Sequence, residues 1–288
     1  MLENFQQQRY ETWRDEKLAN YRSKLESLFV EINDPLKLSI VEKKAILNNC
    51  ITNNLSLIKI KPNADIRKAI CSINAQLGLI DSEQHLYAED DGLVVIENSN
   101  VPKKGGYIPY SDKALNWHTD GYYNQMDCLV SAFSLYCIQP AAKGGENHWI
   151  DPEMLYIHFK ELNPDIIDAL SQPKVLTIPT RRYGNMVIRD ASIGPVFFID
   201  NASQKPKMRF TQRKKNINWL GSTEIADALH ELNIFLSSNS EIHHQYKLTS
   251  GEGLVCNNVL HNRSAFVESP LQKRQLLRGR YKNSVVAQ

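Results

Sequence analysis

Trp117-His118-Thr119-Asp120-Gly121 carries the sharpest chemical signal in the chain. His118 and Asp120 stand at i and i+2, so on an extended strand their side chains share one face. One imidazole and one carboxylate can then enter the same coordination sphere. A third protein ligand would complete a facial triad and leave positions for substrate and O2. That suits iron(II) better than a structural zinc site, which fills its shell with Cys and His. His-x-Asp also occurs by chance as a surface or core pair, so the motif needs a partner. The candidate is His261, which follows the β-prone run at 254–259. An antiparallel barrel brings distant strands together, so the long separation is no objection. A satisfied core or surface histidine is the alternative for His261. His158 and His230 fall in helical stretches, and His85 and His148 carry no motif. His243-His244 reads as a surface pair, because adjacent strand residues face opposite ways.

A second signal lies in Arg274-Gln275-Leu276-Leu277-Arg278-Gly279-Arg280-Tyr281. On a strand, Arg274, Arg278 and Arg280 share one face. An inward arginine is costly unless an anion meets it, and guanidinium grips a carboxylate through a bidentate fork. A dicarboxylate such as 2-oxoglutarate offers a distal carboxylate for that fork, while its keto acid end can chelate iron. The alternative is a solvated basic edge strand. Gly144-Gly145-Glu146-Asn147 follows a β-prone run; its glycines permit a tight turn, and Asn147 can donate to a carboxylate. Tyr122 and Tyr123 follow the His-x-Asp pair and read either as pocket lining or as packed aromatics.

These residues need a frame. The chain has 288 residues, 42% of them hydrophobic, enough for one large domain with accessory helices. A formal charge of +2 creates no strong field, so nucleic acid is not an expected partner. The five cysteines show no CxxC spacing, which argues against a zinc knuckle or disulfide framework and for a reducing compartment. Residues 1–17 are polar and charged, without the apolar core of a secretory signal. No stretch reaches the length of a membrane span.

The first 80 residues read as mostly helical: 4–29, a second helix after Ser39 with Ser39 and Glu42 at capping-box spacing, and 65–79. A short β-prone run at 55–60 interrupts them. Short β-prone runs follow at 93–96, 129–138, 196–199 and 254–259, with further possible strands in 174–210. Gly and Pro punctuate the intervals, as at Pro102, Gly105, Gly106, Pro109 and Pro140. Helices begin near Asp151-Pro152 and span 222–236. The expected architecture is mainly β: short strands in a sandwich or barrel, with N-terminal and inserted helices.

Taken together, Trp117-His118-Thr119-Asp120-Gly121, Gly144-Gly145-Glu146-Asn147, Leu260-His261-Asn262-Arg263 and Arg274-Gln275-Leu276-Leu277-Arg278 resemble the taurine dioxygenase-like (TauD/TfdA) family of iron(II)/2-oxoglutarate-dependent oxygenases. The order and spacing of the four elements make the match more specific than any one of them. The likeness is clear from about 116 to 281. It implies a double-stranded β-helix, or jelly roll, over 86–283, with 1–80 as a helical elaboration of a single domain. It implies His118, Asp120 and His261 as metal ligands and Arg274 as the anchor of 2-oxoglutarate. Arg278 then lies near the co-substrate or substrate. Asn147 stands where many members have threonine, so its contact with the same carboxylate is altered in reach. The implied reaction uses O2, releases succinate and CO2 and typically hydroxylates the substrate. The expected substrate is a small polar or anionic organic molecule near Asn116, Tyr122, Tyr123 and Arg278. The expected protein is cytoplasmic, independent of membranes, and open to homo-oligomer formation. A metal-dependent hydrolase or isomerase could also use two histidines and a carboxylate, but leaves the arginine strand without a role. A non-enzymatic ligand-binding barrel leaves the triad without one.

Overall fold

The computed structural model describes residues 2–61, 65–83, 88–99 and 108–286. His85, Leu86, Pro102, Gly105 and Gly106 lie outside the described residues.

Local chemistry sets the first elements. Helix α1 spans Leu2–Asn20. The expected single helix over 4–29 stops there; a short 3-10 turn at Leu25–Leu28 leads into strand β1, Phe29–Ile32. The β-branched Val30 and Ile32 are buried with Glu31 exposed between them, and a sheet position uses that alternation better than a helix would. Helix α2, Ile40–Asn53, starts on the expected capping box: the Glu42 N–H donates to the Ser39 hydroxyl, and the Ser39 N–H to the Glu42 carboxylate. Asn54 then turns left-handed at φ 53°, and β2 follows at Leu55–Ile60, parallel to β1. The first 80 residues are thus helical in part but also give two strands to the main sheet. Helix α3, Ile66–Gln76, is capped by Asp65.

The next strands are β3 (Leu93–Glu97), β4 (Leu115–His118), β5 (Ala132–Gln139) and β6 (Asn147–Ile150). Helix α4, Pro152–Leu162, begins with Asp151 as cap and Pro152 in the first turn. Helix α5 (Pro164–Leu170), which the sequence reading did not separate, and α6 (Thr223–Ser237) complete the helices. Between them run several two- and three-residue strands and the exposed hairpin Arg181–Tyr183/Met186–Arg189. The last strands are β7 (His244–Tyr246), β8 (Glu252–Cys256), β9 (Leu260–Arg263) and β10 (Gln275–Tyr281).

Two sheets position the site. The larger has six strands in the order β1-β2-β8-β5-β10-β3, the smaller four in the order β7-β6-β9-β4. Among the described residues they form separate sheets and not a closed barrel. Helical and strand residues are near-equal in number, so the fold is mixed α/β, not mainly β as expected. The excess of helix comes from layers that cover both sheets. One face of the larger sheet buries Ile58, Val255 and Leu277 against α2 and α3. Its other face meets the smaller sheet through Leu57, Phe133, Leu254, Leu276 and Trp149. The outer face of the smaller sheet, with Trp117, Ile150 and Leu260, packs under α4, α5 and α6. Strand β3 buries Leu93 on one face and Val94 and Ile96 on the other, which explains why Leu93-Val94-Val95-Ile96 does not alternate. No helix among the described residues is long and apolar enough to cross a membrane.

The N-terminal helix is clamped by buried charge. Lys17 Nζ lies 2.6 Å from Asp151 and 2.9 Å from Glu153, with all three side chains buried. Asp151 also accepts from Asn54. A buried pair gains most from being complete, because removing one partner strands the other. Lys17→Met should therefore destabilise the protein by about 3–5 kcal/mol, read as a lower urea midpoint in equilibrium unfolding.

Candidate active site

The smaller sheet brings the three expected ligands together. In the antiparallel pairing of β9 with β4, His261 lies directly opposite His118, so both imidazoles share one face. Their ring centroids are 4.3 Å apart. Asp120 follows β4 by two residues, and one ligand atom from each of His118, Asp120 and His261 lies within 4.8 Å of the others. A bulge between Leu115 and His118 adds a residue to β4 beside the site.

Hydrogen bonds fix which atoms face inward. His118 Nδ1 is 2.9 Å from the Asn116 carbonyl and His261 Nδ1 is 2.8 Å from the Val259 carbonyl. A carbonyl only accepts, so each Nδ1 carries the proton and each Nε2 keeps its lone pair. Asp120 is held through its backbone: its N–H donates to Asn258 Oδ1, and Asn258 Nδ2 donates back to the Asp120 and Val130 carbonyls. Asn258 does this from a left-handed conformation, φ 48°, which asparagine tolerates better than most residues. The Asp120 Oδ2 atom is buried without a hydrogen-bond partner among the described residues. Two imidazole lone pairs and one orphaned carboxylate oxygen fit a metal cation.

The charges agree. Burial pushes the His118 imidazole down to about 3, with His261 adding to the effect, and burial also lowers His261. Both rings are therefore neutral near pH 7. Burial works to raise the Asp120 carboxyl, but Arg278 and Arg280 outweigh it and hold Asp120 below the usual carboxylate range. Arg278 Nη1 is 3.3 Å from Asp120 Oδ1 and Arg280 Nη1 is 3.9 Å from it.

β10 lies between β5 and β3, so the arginine strand is not the solvated edge that its composition allowed. Arg274, Arg278 and Arg280 are only 5%, 8% and 5% exposed. Arg280 pairs with Glu83 at 2.5 Å and donates to the Tyr123 hydroxyl. Arg274 differs: among the described residues its guanidinium has no hydrogen bond and no ion pair. It lies over the Phe266 ring at 5.1 Å. Burial, reinforced by Arg263, pulls it down to about 9, so it stays a cation at neutral pH. Gly145 packs beside it, and a Cβ there would stand 3.5 Å from Arg274 Nε. Gly144, at φ 70°, admits no side chain, since a Cβ would come within 2.1 Å of the Ala265 carbonyl. Asn147 pairs with Arg263 on β9 and so shares the inner face with His261; its side chain makes no hydrogen bond among the described residues.

The expected substrate residues separate. Tyr122 is buried, edge-on to His118 at 6.4 Å, and accepts from Arg213. Tyr123 packs against Tyr122 at 5.2 Å. Asn116 is exposed, and its visible contribution is the carbonyl that orients His118. His243 and His244 are not a surface pair. His244 is buried and bonded to the Tyr21 hydroxyl, and His243 meets Ser240, because Tyr21, which follows α1, reaches the first and Phe235 of α6 packs on the second. Sequence reasoning missed Asn258 and Glu83 as supports. A paired asparagine before a strand was a signal for the first; nothing local marked the second.

Facing strands that carry two histidines and one carboxylate define a non-haem 2-His-1-carboxylate centre. The family model described as "Taurine catabolism dioxygenase TauD, TfdA family" matches residues 66–280. The chain belongs to this family, and is an iron(II)- and 2-oxoglutarate-dependent oxygenase. A uridine-5'-phosphate dioxygenase from a Streptomyces species is 24% identical over 196 residues, covering 64% of this chain and 68% of the relative. One from an Amycolatopsis species is 25% identical over 170 residues, covering 57% of this chain and 60% of the relative. An asparagine oxygenase solved with Fe(II), 3-hydroxyasparagine and succinate superposes with a TM-score of 0.61 at 14% identity, over 84% of this chain and 78% of that one.

The lowered His118 pKa predicts a pH dependence. The unfolded imidazole binds its proton near pH 6.5, and the folded one only near pH 3. Between these values the unfolded state holds more protons, so stability rises with pH. Metal-free protein should lose stability on acidification from about pH 6.5, and His118→Asn should flatten that slope. Thermal unfolding across pH 4.5–7.5 on the order of half-unit steps would test it.

Proposed function

We propose that His118, Asp120 and His261 hold iron(II), and that Arg274 receives the distal carboxylate of 2-oxoglutarate. The observation that carries this reading is a buried triad whose Asp120 Oδ2 has no hydrogen-bond partner among the described residues, in the same fold as a buried arginine, Arg274, with no ion pair among them. When bound, iron(II) with 2-oxoglutarate and O2 supplies the oxidation, yielding succinate and CO2 and oxidising a substrate C–H bond. The protein's own part is to bind and orient. The two Nδ1–H bonds keep both Nε2 atoms available. Arg278 and Arg280 keep Asp120 ionised. Phe133, 4.8 Å from the His261 ring, limits water at that side of the site. Asn147 donates to a 2-oxoglutarate carboxylate beside Arg274, and Arg278 faces co-substrate or substrate.

The substrate in this reading is a small polar or anionic organic molecule, hydroxylated beside Tyr122, Tyr123 and Arg278, with exposed Asn116 nearby. The two relatives named for uridine 5'-phosphate support an anionic substrate. The facing six- and four-stranded sheets support the double-stranded β-helix, with 1–80 and the inserted helices elaborating one oxygenase domain. Five free thiols fit a reducing, cytoplasmic setting.

His261→Ala should abolish tight one-to-one iron(II) binding in anaerobic titration; wild-type stoichiometry and affinity in this variant would remove His261 from the ligand set. Arg274→Lys keeps the charge but loses the planar fork. It should weaken 2-oxoglutarate by roughly 2–5 kcal/mol with iron binding retained. Arg280→Lys, already engaged by Glu83 and Tyr123, should weaken it much less. Calorimetry with iron saturated and oxygen excluded ranks the two, and the reverse order would relocate the anchor.

A further inference from the structure

Two more arginines stand beside the site without an acidic partner among the described residues. Arg189, at the base of the exposed hairpin, donates to the Tyr123 carbonyl at 2.6 Å and to the Pro179 carbonyl at 2.9 Å. Its guanidinium lies over the Tyr123 ring at 5.6 Å. Arg213 is exposed and donates to the Tyr122 hydroxyl at 3.1 Å. It stands two residues beyond Thr211, which bridges to His118. The two arginines therefore grip adjacent tyrosines, and the first of those tyrosines lies edge-on to a triad histidine.

Neutral acceptors orient these cations but do not balance them. A carbonyl or phenol oxygen accepts a hydrogen bond and leaves the positive charge in place. Arg189 lies over the Tyr123 ring and Arg213 holds the Tyr122 hydroxyl, and the two ring centroids are 5.2 Å apart, so the two guanidiniums flank one pair of rings. Such a pair is stabilised by an anion placed between them.

We propose that Arg189, Arg213 and the Tyr122 hydroxyl form the receiving site for a phosphate monoester group on the substrate. Two guanidiniums match a phosphate monoester, which carries about −1.5 to −2 at neutral pH; a monoanionic carboxylate or sulfonate would leave one cation uncompensated. Arg189 retains free donors after its two carbonyl bonds, and its fixed plane suits phosphate oxygens. The site would hold the charged end of the substrate and leave the rest to extend past Tyr122 toward the triad. Arg274 remains for the co-substrate, so two anions are received by two separate cationic sites. This assignment rests on the oxygenase reading above, whose centre the phosphate-bearing substrate must reach.

The test uses the full chain with iron(II) and saturating 2-oxoglutarate, without oxygen, so that Arg274 is already occupied. Inorganic phosphate is the first probe and acetate the monoanionic comparison, followed by calorimetry and by the phosphorus NMR linewidth, which paramagnetic iron broadens at short range. Phosphate should bind and be broadened, and acetate should bind far more weakly. Arg213→Gln, at an exposed position that threatens folding little, should weaken phosphate about tenfold, and Arg189→Gln similarly. Lys214→Gln and Lys215→Gln, neighbouring exposed lysines, should leave it unchanged. Equal phosphate affinity in wild type, Arg189→Gln and Arg213→Gln would overturn the site, as would acetate binding as well as phosphate. The visible band of the iron–2-oxoglutarate complex reports separately. Its absence with phosphate still bound through Arg213 would count against the oxygenase reading and leave the anion site standing.

Discussion

The architecture turns on how buried positive charge is compensated between two sheets. Strand β10 carries Arg278 and Arg280 into the inter-sheet space, and their first anion is Asp120. That single carboxylate must do two things. It offsets the guanidiniums through Oδ1, and it leaves Oδ2 free for a cation. The two roles are compatible only because Arg280 has a second acid in Glu83 and because Asn258 fixes the Asp120 backbone. Among the described residues Asp120 pairs with both arginines, and Glu83 takes a share of Arg280 alone; without Glu83 the pull on the Asp120 oxygens would compete more strongly with metal binding. The metal site is thus a product of charge balance over several elements, not of three ligands alone.

Much of this was legible in the sequence where the physics is local. The capping box at Ser39 and Glu42, the strand at 55–60 and the Asp151-Pro152 helix start each depend on a few adjacent residues. The i, i+2 spacing of His118 and Asp120 belongs to the same class. His261 stands out as a candidate by following a β-prone run, but only the order of four motifs sets it above a core or surface histidine, since pairing between distant strands leaves no mark within either strand. The inward direction of the arginine strand was likewise undecidable from its own residues: periodicity aligned Arg274, Arg278 and Arg280 but gave no sign of whether that face was wet.

The misreadings share a cause. The apolar residues of 21–29 fit a helical stripe, yet Phe29–Ile32 fit a strand better once β2 lies alongside. Two adjacent histidines facing opposite ways suggest a surface pair, but both sides are covered here: Tyr21 bonds His244, and Phe235 of α6 packs on His243. The mainly-β expectation failed for the same reason. A sheet that is buried on both sides needs helical layers outside it, and those layers bring the helix content level with the strands.

The two halves of the site are built on supports of different stiffness. His118 and His261 sit opposite each other in a sheet, and Arg278 and Arg280 lie on an interior strand, so the metal centre is held by paired backbones. Tyr122 and Tyr123 lie in the turn after β4, Arg189 at the base of an exposed hairpin, and Arg213 in an irregular segment. A substitution in the first group disturbs the ladder of one main sheet, whereas one in the second reshapes a segment outside both while those ladders stay intact. A scaffold divided in this way can keep one oxidative centre while the segments beside it change. Specificity in this chain should therefore be sought outside the two main sheets, and there the residues with uncompensated charge have the strongest physical claim on a ligand.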